Sequence, residues 1–407
     1  MATPKPVLVQ AVVPQAAPAA VSVVHPVASP NPARVPLSVL PVRSGADLRV
    51  VLDQTLQENA YLTAAAMQAA SSARLDELIG ASSMLDQNNL LLAEIIANVK
   101  GQAAAQALVD ALRAHTSNLI LYSQAPASVV PGDLDNQSAA IATQLATGAL
   151  SEPAAADAVQ RRTQQELALA NSLAAHDPAQ TTQRLATLVG SSTDLSRPLA
   201  TAMASQLPDL LPPTTEGADI DVRLKLGSSL LRRLYLSGAA IDAAADNRAA
   251  DAQAYAAAAD LVADDLAKQL GDMYGAEVGK SVGDSLRLET EALVSAASGG
   301  DRHQASADID RLRGQIDSVL AGANSLLAPG LLTQQLRATD QPMLTASDAF
   351  EARDFATAYA RLHEAARLSQ KPALTLALAI VDRYPGRYLV LPTHENSEIR
   401  HQKSADF

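Results

Sequence analysis

The chain carries an internal repeat, and this repeat constrains its fold more than any other feature. The segment Leu48–Ala70 returns without a gap at Val222–Ala244, 174 residues further on. Later positions keep nearly the same offset, which becomes 177 towards the end of the repeat. A period this long, running through several predicted helices, indicates a duplicated domain rather than a short solenoid repeat. The matched pairs are Arg49/Arg223, Leu52/Leu226, Leu56/Leu230, Tyr61/Tyr235, Leu62/Leu236, Ala65/Ala239, Ala66/Ala240, Asp110/Asp284, Leu112/Leu286, Thr116/Thr290, Leu119/Leu293, Asp177/Asp354, Arg184/Arg361 and Leu185/Leu362.

The repeat divides the 407 residues into two predicted domains. We expect one domain at 46–212 and the second at 220–388, each within the usual size range. The Pro-containing segment Leu211–Gly217 is the predicted linker between them. A Pro- and Val-rich arm at 1–45 precedes the two domains, and a polar tail at 389–407 follows them.

Composition predicts an all-α fold. Apolar residues make up 48% of the chain, much of this alanine, with three Phe, eight Tyr and no Trp. Alanine is the best helix former but buries little area per residue, so such a core depends on many small contacts and on Leu, Ile and Val ridges. We therefore expect two tandem up-and-down helical bundles whose interiors are hydrocarbon and chemically inactive.

Apolar periodicity and turn signals place the helices. From Ala46 the apolar residues recur at the spacing of an amphipathic helix, and Asp47 lies in the first turn, where a carboxylate suits the helix dipole. The connections are short, which implies mainly antiparallel neighbours, and the second copy repeats the plan of the first. Further helices of the first copy are predicted at Met84–Val99, Gln102–Gln124, Leu134–Thr147, Ser151–Ala175, from Pro178 onwards and at Asp194–Gln206.

The arm at 1–45 differs in kind from the rest of the chain. Nine prolines fall between Pro4 and Pro41, interspersed with valine-rich pieces. Proline at this density forbids a helix and favours extended or polyproline II chain. Since a disordered linker is usually polar and this arm is not, we expect its valines to contact a surface. Its own bundle, a second subunit, a partner protein and disorder remain open.

The net charge of −12 disfavours nucleic-acid binding, because phosphate recognition needs clustered Lys and Arg. Acidic residues concentrate in Asp242–Asp272, which contains seven Asp. We interpret this run as a solvated helix face, with a divalent-ion patch as the alternative.

The chain has no cysteine, which removes disulfides, thiolate metal sites and cysteine nucleophiles and fits either redox compartment. No apolar run approaches the about 20 residues of a membrane-spanning helix. The start lacks the basic and apolar regions of a signal peptide. We therefore expect either a cytoplasmic protein or an extracytoplasmic one, from the envelope or secreted, in its mature form without the signal peptide.

Candidate chemistry is sparse. A di-iron bundle needs a Glu-x-x-His motif on facing helices, and the sequence has none. Of the histidines, His115 is a weak candidate metal ligand, but a partly buried or surface role is the stronger interpretation for it and for His363. Met67 corresponds to Ile241 in the second copy, which favours core packing over ligation of haem or copper. The seven histidines are His25, His115, His176, His303, His363, His394 and His401.

Gly279-Lys280-Ser281 is superficially similar to the end of a phosphate-binding loop. The glycine expected five residues earlier is replaced by Tyr274, and no strand is predicted before it. We interpret Gly271–Gly283 as a turn between two helices, centred on Tyr274-Gly275. No nucleophile elbow or dinucleotide fingerprint is visible either.

One run of helical positions resembles a group of poorly characterised bacterial proteins. The pattern is Leu52-x-x-x-Leu56-x-x-Asn59-x-x-Leu62-x-x-x-Ala66-Met67-x-Ala69, with Asp177 and Arg184-Leu185 later. The resemblance implies duplicated all-helical modules that are usually exported or associated with the envelope. In that group the positions of Asn59 and His115 are frequently histidine. This chain departs at Asn59, and Arg233 stands at the matching place of the second copy.

These observations predict a non-catalytic structural or protein-interaction module, with the arm as a packing or assembly strap and with no cofactor. Self-association or a protein partner is expected. The alternative is a binding module for a metal ion, haem or a small apolar ligand held between helices, with His115 as its polar anchor. An enzyme has no positive support in the sequence.

Overall fold

The computed structural model describes residues 42–126, 129, 131–207 and 212–388, and this part of the chain is all-α. Within it, the β-type pairing is a single isolated bridge between Thr147 and Leu150. The helices are α1 (Gly45–Ser71), α2 (Leu75–Lys100), α3 (Gln102–Gln124), α4 (Pro131–Leu145), α5 (Glu152–Ala174), α6 (Pro178–Gly190), α7 (Ser192–Ala204), α8 (Ala218–Ala245), α9 (Ala249–Tyr274), α10 (Ala276–Ala297), α11 (Arg302–Ala323), α12 (Leu331–Glu351), α13 (Phe355–Leu368), α14 (Gln370–Arg383) and the short α15 (Pro385–Tyr388).

We call α1–α7 the first half and α8–α14 the second half. Consecutive helices of each half pack on one another, and the first helix of each half lies in the middle. Thus α1 contacts α2, α3, α5, α6 and α7, and α8 contacts α9, α10, α12, α13 and α14. The prediction of bundled helices is confirmed, but a central helix surrounded by its neighbours is a denser arrangement than a simple up-and-down ring.

Several helix ends are those that the sequence predicts. Gln102–Gln124 is α3 itself, and Asp177 caps α6 by accepting a hydrogen bond from the backbone N–H of Gln180 at 3.0 Å. The start predicted at Met84 was wrong, because α2 begins at Leu75. Arg74 stands at the N-cap of α2 and makes no side-chain capping hydrogen bond, so no capping residue marks this start in the sequence.

The turns of the two halves also correspond. The non-glycine residues with left-handed backbone include Ala73 at φ 54° and Asn247 at φ 56°, which follow α1 and α8. Gly101 and Gly275, which follow α2 and α9, have φ of 82° and 100°. Gly275 is therefore the turn predicted at Tyr274-Gly275, and helices continue on both sides of it.

The two halves share one apolar core. Its buried side chains come from both halves, and Tyr61 of α1 stacks on Tyr235 of α8 with ring centroids 5.0 Å apart and an interplanar angle of 8°. Around this stack α2 packs on α13, and α6 packs on α9. We call the surface formed by α1, α2 and α6 on one side and α8, α9 and α13 on the other the inter-half face.

Further apolar clusters lie inside the separate halves. One includes Leu48, Leu52 and Ile95, and another includes Leu226 and Leu286. The predicted arm and tail lie outside the described residues, apart from 42–45, of which Val42 is buried in the apolar cluster of the first half. None of the described helices combines the length and apolarity needed to cross a membrane.

Candidate functional site

The interior of each half contains charged side chains, contrary to the predicted hydrocarbon interior. In the first half, His115 of α3 is buried, and its Nε2 lies 2.8 Å from Oε2 of Glu166 on α5. One helical turn before Glu166, the Nε of Arg162 donates to Glu166 Oε1 at 3.0 Å. His115 and Arg162 therefore contact the same carboxylate, and each of its two oxygens has a hydrogen-bond partner.

Two amides extend this cluster towards the central helix. Arg162 Nη2 donates to Asn59 Oδ1 of α1 at 3.0 Å, and Asn59 Nδ2 donates to Asn89 Oδ1 of α2 at 2.7 Å. We call Asn59, Asn89, His115, Arg162 and Glu166 the first-half cluster. It joins α1, α2, α3 and α5 through hydrogen bonds, so it fixes how these helices meet.

The protonation state of the first-half cluster follows from its contacts. Burial raises the pKa of Glu166, but the hydrogen bond and charge of His115, with the charge of Arg162, outweigh burial and hold the pKa below its ordinary value. Glu166 is therefore an ionised acceptor, and His115 Nε2 carries the proton that it receives. His115 Nδ1 is buried without a hydrogen-bond partner.

A cavity of about 40 Å³ lies beside this histidine. Its polar lining comes from the first-half cluster and from threonines, and Leu and Ile side chains close the rest: Leu56, Asn59, Thr63, Leu92, Leu112, His115, Thr116, Ile141, Leu145, Val159, Arg162, Thr163, Glu166 and Leu195. This volume suits a few water molecules or one small ion. It is far below that of pockets that hold drug-sized ligands.

The second half has a corresponding cluster at matching positions. Arg313 of α11 donates from Nη2 to Asp340 Oδ1 at 2.7 Å and from Nε to Asp340 Oδ2 at 3.0 Å, and it also contacts Glu289. Arg233 of α8 lies 3.3 Å from Glu289 and donates to the carbonyl oxygen of Leu286 at 2.7 Å. We call Arg233, Glu289, Arg313 and Asp340 the second-half cluster.

Charge in the second-half cluster is balanced, two arginines against two carboxylates. Burial lowers the pKa of Arg313, but Asp340 and Glu289 outweigh burial and hold the pKa above its ordinary value. A cavity of about 30 Å³ lies beside this cluster, as in the first half. Burial raises the pKa of Asp340, and the charge of Arg313 opposes this.

The two clusters share positions but differ in residues. At the 174-residue offset Glu166 matches Asp340, His115 matches Glu289 and Asn59 matches Arg233. Both halves thus have a carboxylate at the position of Glu166. The arginine of the cluster comes from α5 in the first half, and the two arginines of the second half come from α8 and α11. His115 contacts Glu166 directly, whereas Glu289 meets Asp340 through Arg313, which pairs with both carboxylates.

A third set of buried polar groups lies on the inter-half face. Glu58 of α1 accepts hydrogen bonds from Asn88 at 3.2 Å and from the hydroxyl of Tyr235, and His363 Nδ1 is 2.8 Å from it. Nearby, Arg74 pairs with Glu77 on its own helix and lies 3.6 Å from Asp242 of the second half.

The remaining predicted candidates take structural places. His363 is the half-buried partner of Glu58, whereas His25, His394 and His401 lie outside the described residues. Among the described residues no group of three or more His, Asp or Glu side chains is arranged to hold a metal ion. Met67 and Met84 are buried in the shared core.

The glycine-rich and acidic stretches also have structural explanations. Gly279 lies within α10 at its contact with α9, so Gly279-Lys280-Ser281 is helical and forms no phosphate loop. The acidic run was interpreted as a solvated face, and this was wrong for Asp242, which is buried against Arg248. Asp246 and Asp251 also pair with Arg248.

Comparison with known proteins adds no relative: no protein-family model, curated protein or solved structure matches this chain.

Proposed function

We propose that this chain is a non-catalytic structural or protein-interaction module, built by tandem duplication of one seven-helix unit. The matching helix order, the paired left-handed turns and the two clusters at equivalent positions support the duplication. The resemblance of the repeat pattern to exported bacterial proteins supports a place in the bacterial envelope or the secreted space.

One observation carries the non-catalytic role: the carboxylates and arginines of the two clusters bind one another. Both oxygens of Glu166 are hydrogen-bonded, and the guanidinium of Arg313 donates hydrogen bonds to Asp340 and Glu289. Catalytic groups need room for a reacting molecule within about 3 Å of them. The cavities beside the two clusters, of about 40 Å³ and 30 Å³, have room for a few water molecules. Such networks specify helix packing and leave the outer helix faces for contacts with other molecules.

We propose further that the arm at 1–45 acts as a packing or assembly strap. Its proline content keeps it from joining the helical halves, and its valines need a surface to cover them. Val42, at the end of the arm, already packs against the first-half apolar cluster.

The test compares the natively purified full chain with a chain that lacks residues 1–41. We expect the full chain to be an oligomer or a complex by light scattering, and the shortened chain to lose that state or to unfold at lower temperature. Identical mass and stability for both chains would refute the strap, and a full chain that is a monomer without any co-purifying protein would refute the interaction module.

The alternative is a binding module, and His115 is the observation that favours it. Its Nδ1 has no partner and its ring lines the cavity of the first half. The size of that cavity favours a small ion over haem or an apolar ligand. Metal analysis and the visible absorption spectrum of the same native sample discriminate, because a stoichiometric ion lost in His115→Ala would support this alternative.

A further inference from the structure

The ion pairs across the inter-half face are reciprocal. Arg49 of α1 lies 3.4 Å from Asp221 of α8, and Arg223 of α8 lies 2.6 Å from Asp47 of α1. Arg49 and Arg223 are equivalent at the 174-residue offset, and so are Asp47 and Asp221. Each half therefore has an arginine and an aspartate at equivalent positions, and each arginine forms an ion pair with the aspartate of the other half.

The same reciprocity holds for the helices. The α2–α13 contact and the α9–α6 contact are equivalent under exchange of the halves, and α1–α8 pairs a helix with its own counterpart. Tyr61 and Tyr235 are also equivalent residues, and they stack on each other. A residue that meets its own counterpart lies on a two-fold axis, so this stack marks an approximate two-fold axis between the halves.

A second reciprocal set lies beside the stack. Arg74 of the first half is 3.6 Å from Asp242, while Gln68, the counterpart of Asp242, donates to Asp251 at 3.3 Å. Asp251 is in turn the counterpart of Glu77, the neighbour of Arg74. Exchange of the halves maps the Gln68–Asp251 hydrogen bond onto Asp242 and Glu77, and these two carboxylates meet here through Arg74, which pairs with both.

From these contacts we propose that the inter-half face is an isologous dimer interface within one chain, in which each half binds the other, an unlike copy of the same seven-helix unit. The inference rests on the proposed duplication. Isologous interfaces of two-fold dimers show this pattern, in which residue i contacts residue j and j contacts i. The linker then connects two units that would associate through the contacts of this interface without it.

The residues that differ between the halves favour pairing of unlike halves. Position 58 is Glu in the first half, and its counterpart is Arg232 in the second. Glu58 forms hydrogen bonds with Tyr235 and His363 of the second half. Arg232 forms a hydrogen bond with the hydroxyl of Tyr61. The counterpart of His363 is Ala186. Two first halves would therefore bury two Glu58 carboxylates without the imidazole that accompanies Glu58 here.

The test cuts the folded full chain. A protease site replaces residues 208–211, the protein is purified intact, and the linker is then cleaved. We expect the two fragments to co-elute in a 1:1 ratio by size exclusion, and to remain together on dilution from about 10 µM to about 0.1 µM, the range of a stable specific interface. Fragments that elute separately at about 10 µM would overturn the proposal.

Two variants of the cut protein test the residues. Arg223→Met removes an ion pair across the interface, and we expect association about three- to tenfold weaker. Arg113→Met removes the pair of Arg113 with Asp86 inside the first half, which is similarly half-buried, and we expect unchanged association. Equal weakening by both variants would overturn the assignment of the interface. Separation of the cut halves would refute the dimer interface but would not bear on the interaction role of the uncut chain. The deletion of residues 1–41 tests that role, so the two proposals can fail independently.

Discussion

Buried arginines in this protein lie against carboxylates, and their energetic weight depends on burial. Arg313 is 4% exposed and bonds Asp340 and Glu289, whereas Arg337 is 56% exposed and bonds Asp310 at 2.8 Å. Removal of a buried partner leaves charges that water cannot reach. An exposed pair of the same residue types is worth about 0–1 kcal/mol.

We therefore expect Arg313→Met to lower the free energy of unfolding by about 3–5 kcal/mol. Arg337→Met, the matched exposed variant, is expected to lower it by less than about 1 kcal/mol. Urea denaturation followed by far-ultraviolet circular dichroism measures both. Equal effects of the two substitutions would contradict a stabilising role for the second-half cluster.

Glu77 gives a prediction about pH. Burial raises its pKa to about 8, the charge of Asp242 adds to this, and Arg74 and Arg248 oppose it. The folded chain thus holds the proton more tightly than the unfolded chain, whose glutamate has a pKa of 4.5. This contribution to stability is complete below pH 4.5 and is lost as the pH rises to about 8.

Glu77→Gln is expected to flatten this fall and to raise the free energy of unfolding at alkaline pH by about 1–3 kcal/mol relative to the parent chain. Asp354→Asn provides a control of opposite sign. The side-chain and backbone hydrogen bonds of Thr357 lower the pKa of Asp354, so its contribution is present above pH 3.8 and is lost in acid. Denaturation midpoints between pH 3 and pH 9 test both. A parallel pH profile for Glu77→Gln and the parent would contradict the prediction.

The contacts of individual buried polar residues were hard to predict from the sequence. Polar residues within helices usually face solvent, and the periodicity gives no sign that Glu166 and Arg162 point inward together. One signal was present, because Glu166 and its counterpart Asp340 are both acidic at the repeat offset. Which cation reaches that carboxylate depends on how α3, α5, α8 and α11 pack, and this is a property of the tertiary structure.

Helices α9 and α10 approach each other closely where both carry glycine. A Cβ at Gly279 would lie 2.8 Å from Gly271 Cα and would overlap the carbonyl oxygen of Ala267. Gly314 lies inside α11 with open space around its Cβ position. Glycine is thus required at the first site and only lowers helix propensity at the second.

Gly279→Ala is expected to lower the free energy of unfolding by about 1–3 kcal/mol, because α9 and α10 must move apart. Gly314→Ala is expected to raise it by about 0.5–1 kcal/mol through helix propensity. Thermal melts of both variants provide the measurement. A stabilised Gly279→Ala protein would show that the contact between α9 and α10 is looser than described.

Helices were the level at which sequence reasoning succeeded. Proline, glycine and capping residues give local signals, and these located α3 and the start of α6. The start of α2 was missed because no capping residue marks it: Arg74 stands at the N-cap and makes no side-chain capping hydrogen bond. The central position of α1 and α8 needed the structure, since an amphipathic pattern does not say how many neighbours share the apolar stripe.

The whole molecule shares one apolar core, which includes residues of both halves. Leu52 lies in the separate cluster of the first half and Leu286 in that of the second. Since the shared core couples the halves, loss of one half exposes the apolar surface of the other.

We expect one cooperative unfolding transition, which Leu52→Ala and Leu286→Ala shift by similar amounts. Each substitution removes a buried side chain and is expected to lower the free energy of unfolding by about 2–5 kcal/mol. Calorimetry of the parent and both variants provides the measurement. Two separate transitions, with only one of them moved by each substitution, would show that the halves unfold independently.

The stacked Tyr61 and Tyr235 rings give the molecule a built-in optical probe. The chain has no tryptophan, so its near-ultraviolet signal comes from tyrosine without a stronger chromophore over it. Two phenol rings held face to face at 5.0 Å interact electronically, and each ring belongs to a different half. The near-ultraviolet circular dichroism of the unlabelled protein should therefore change when the halves separate, even while every helix stays folded.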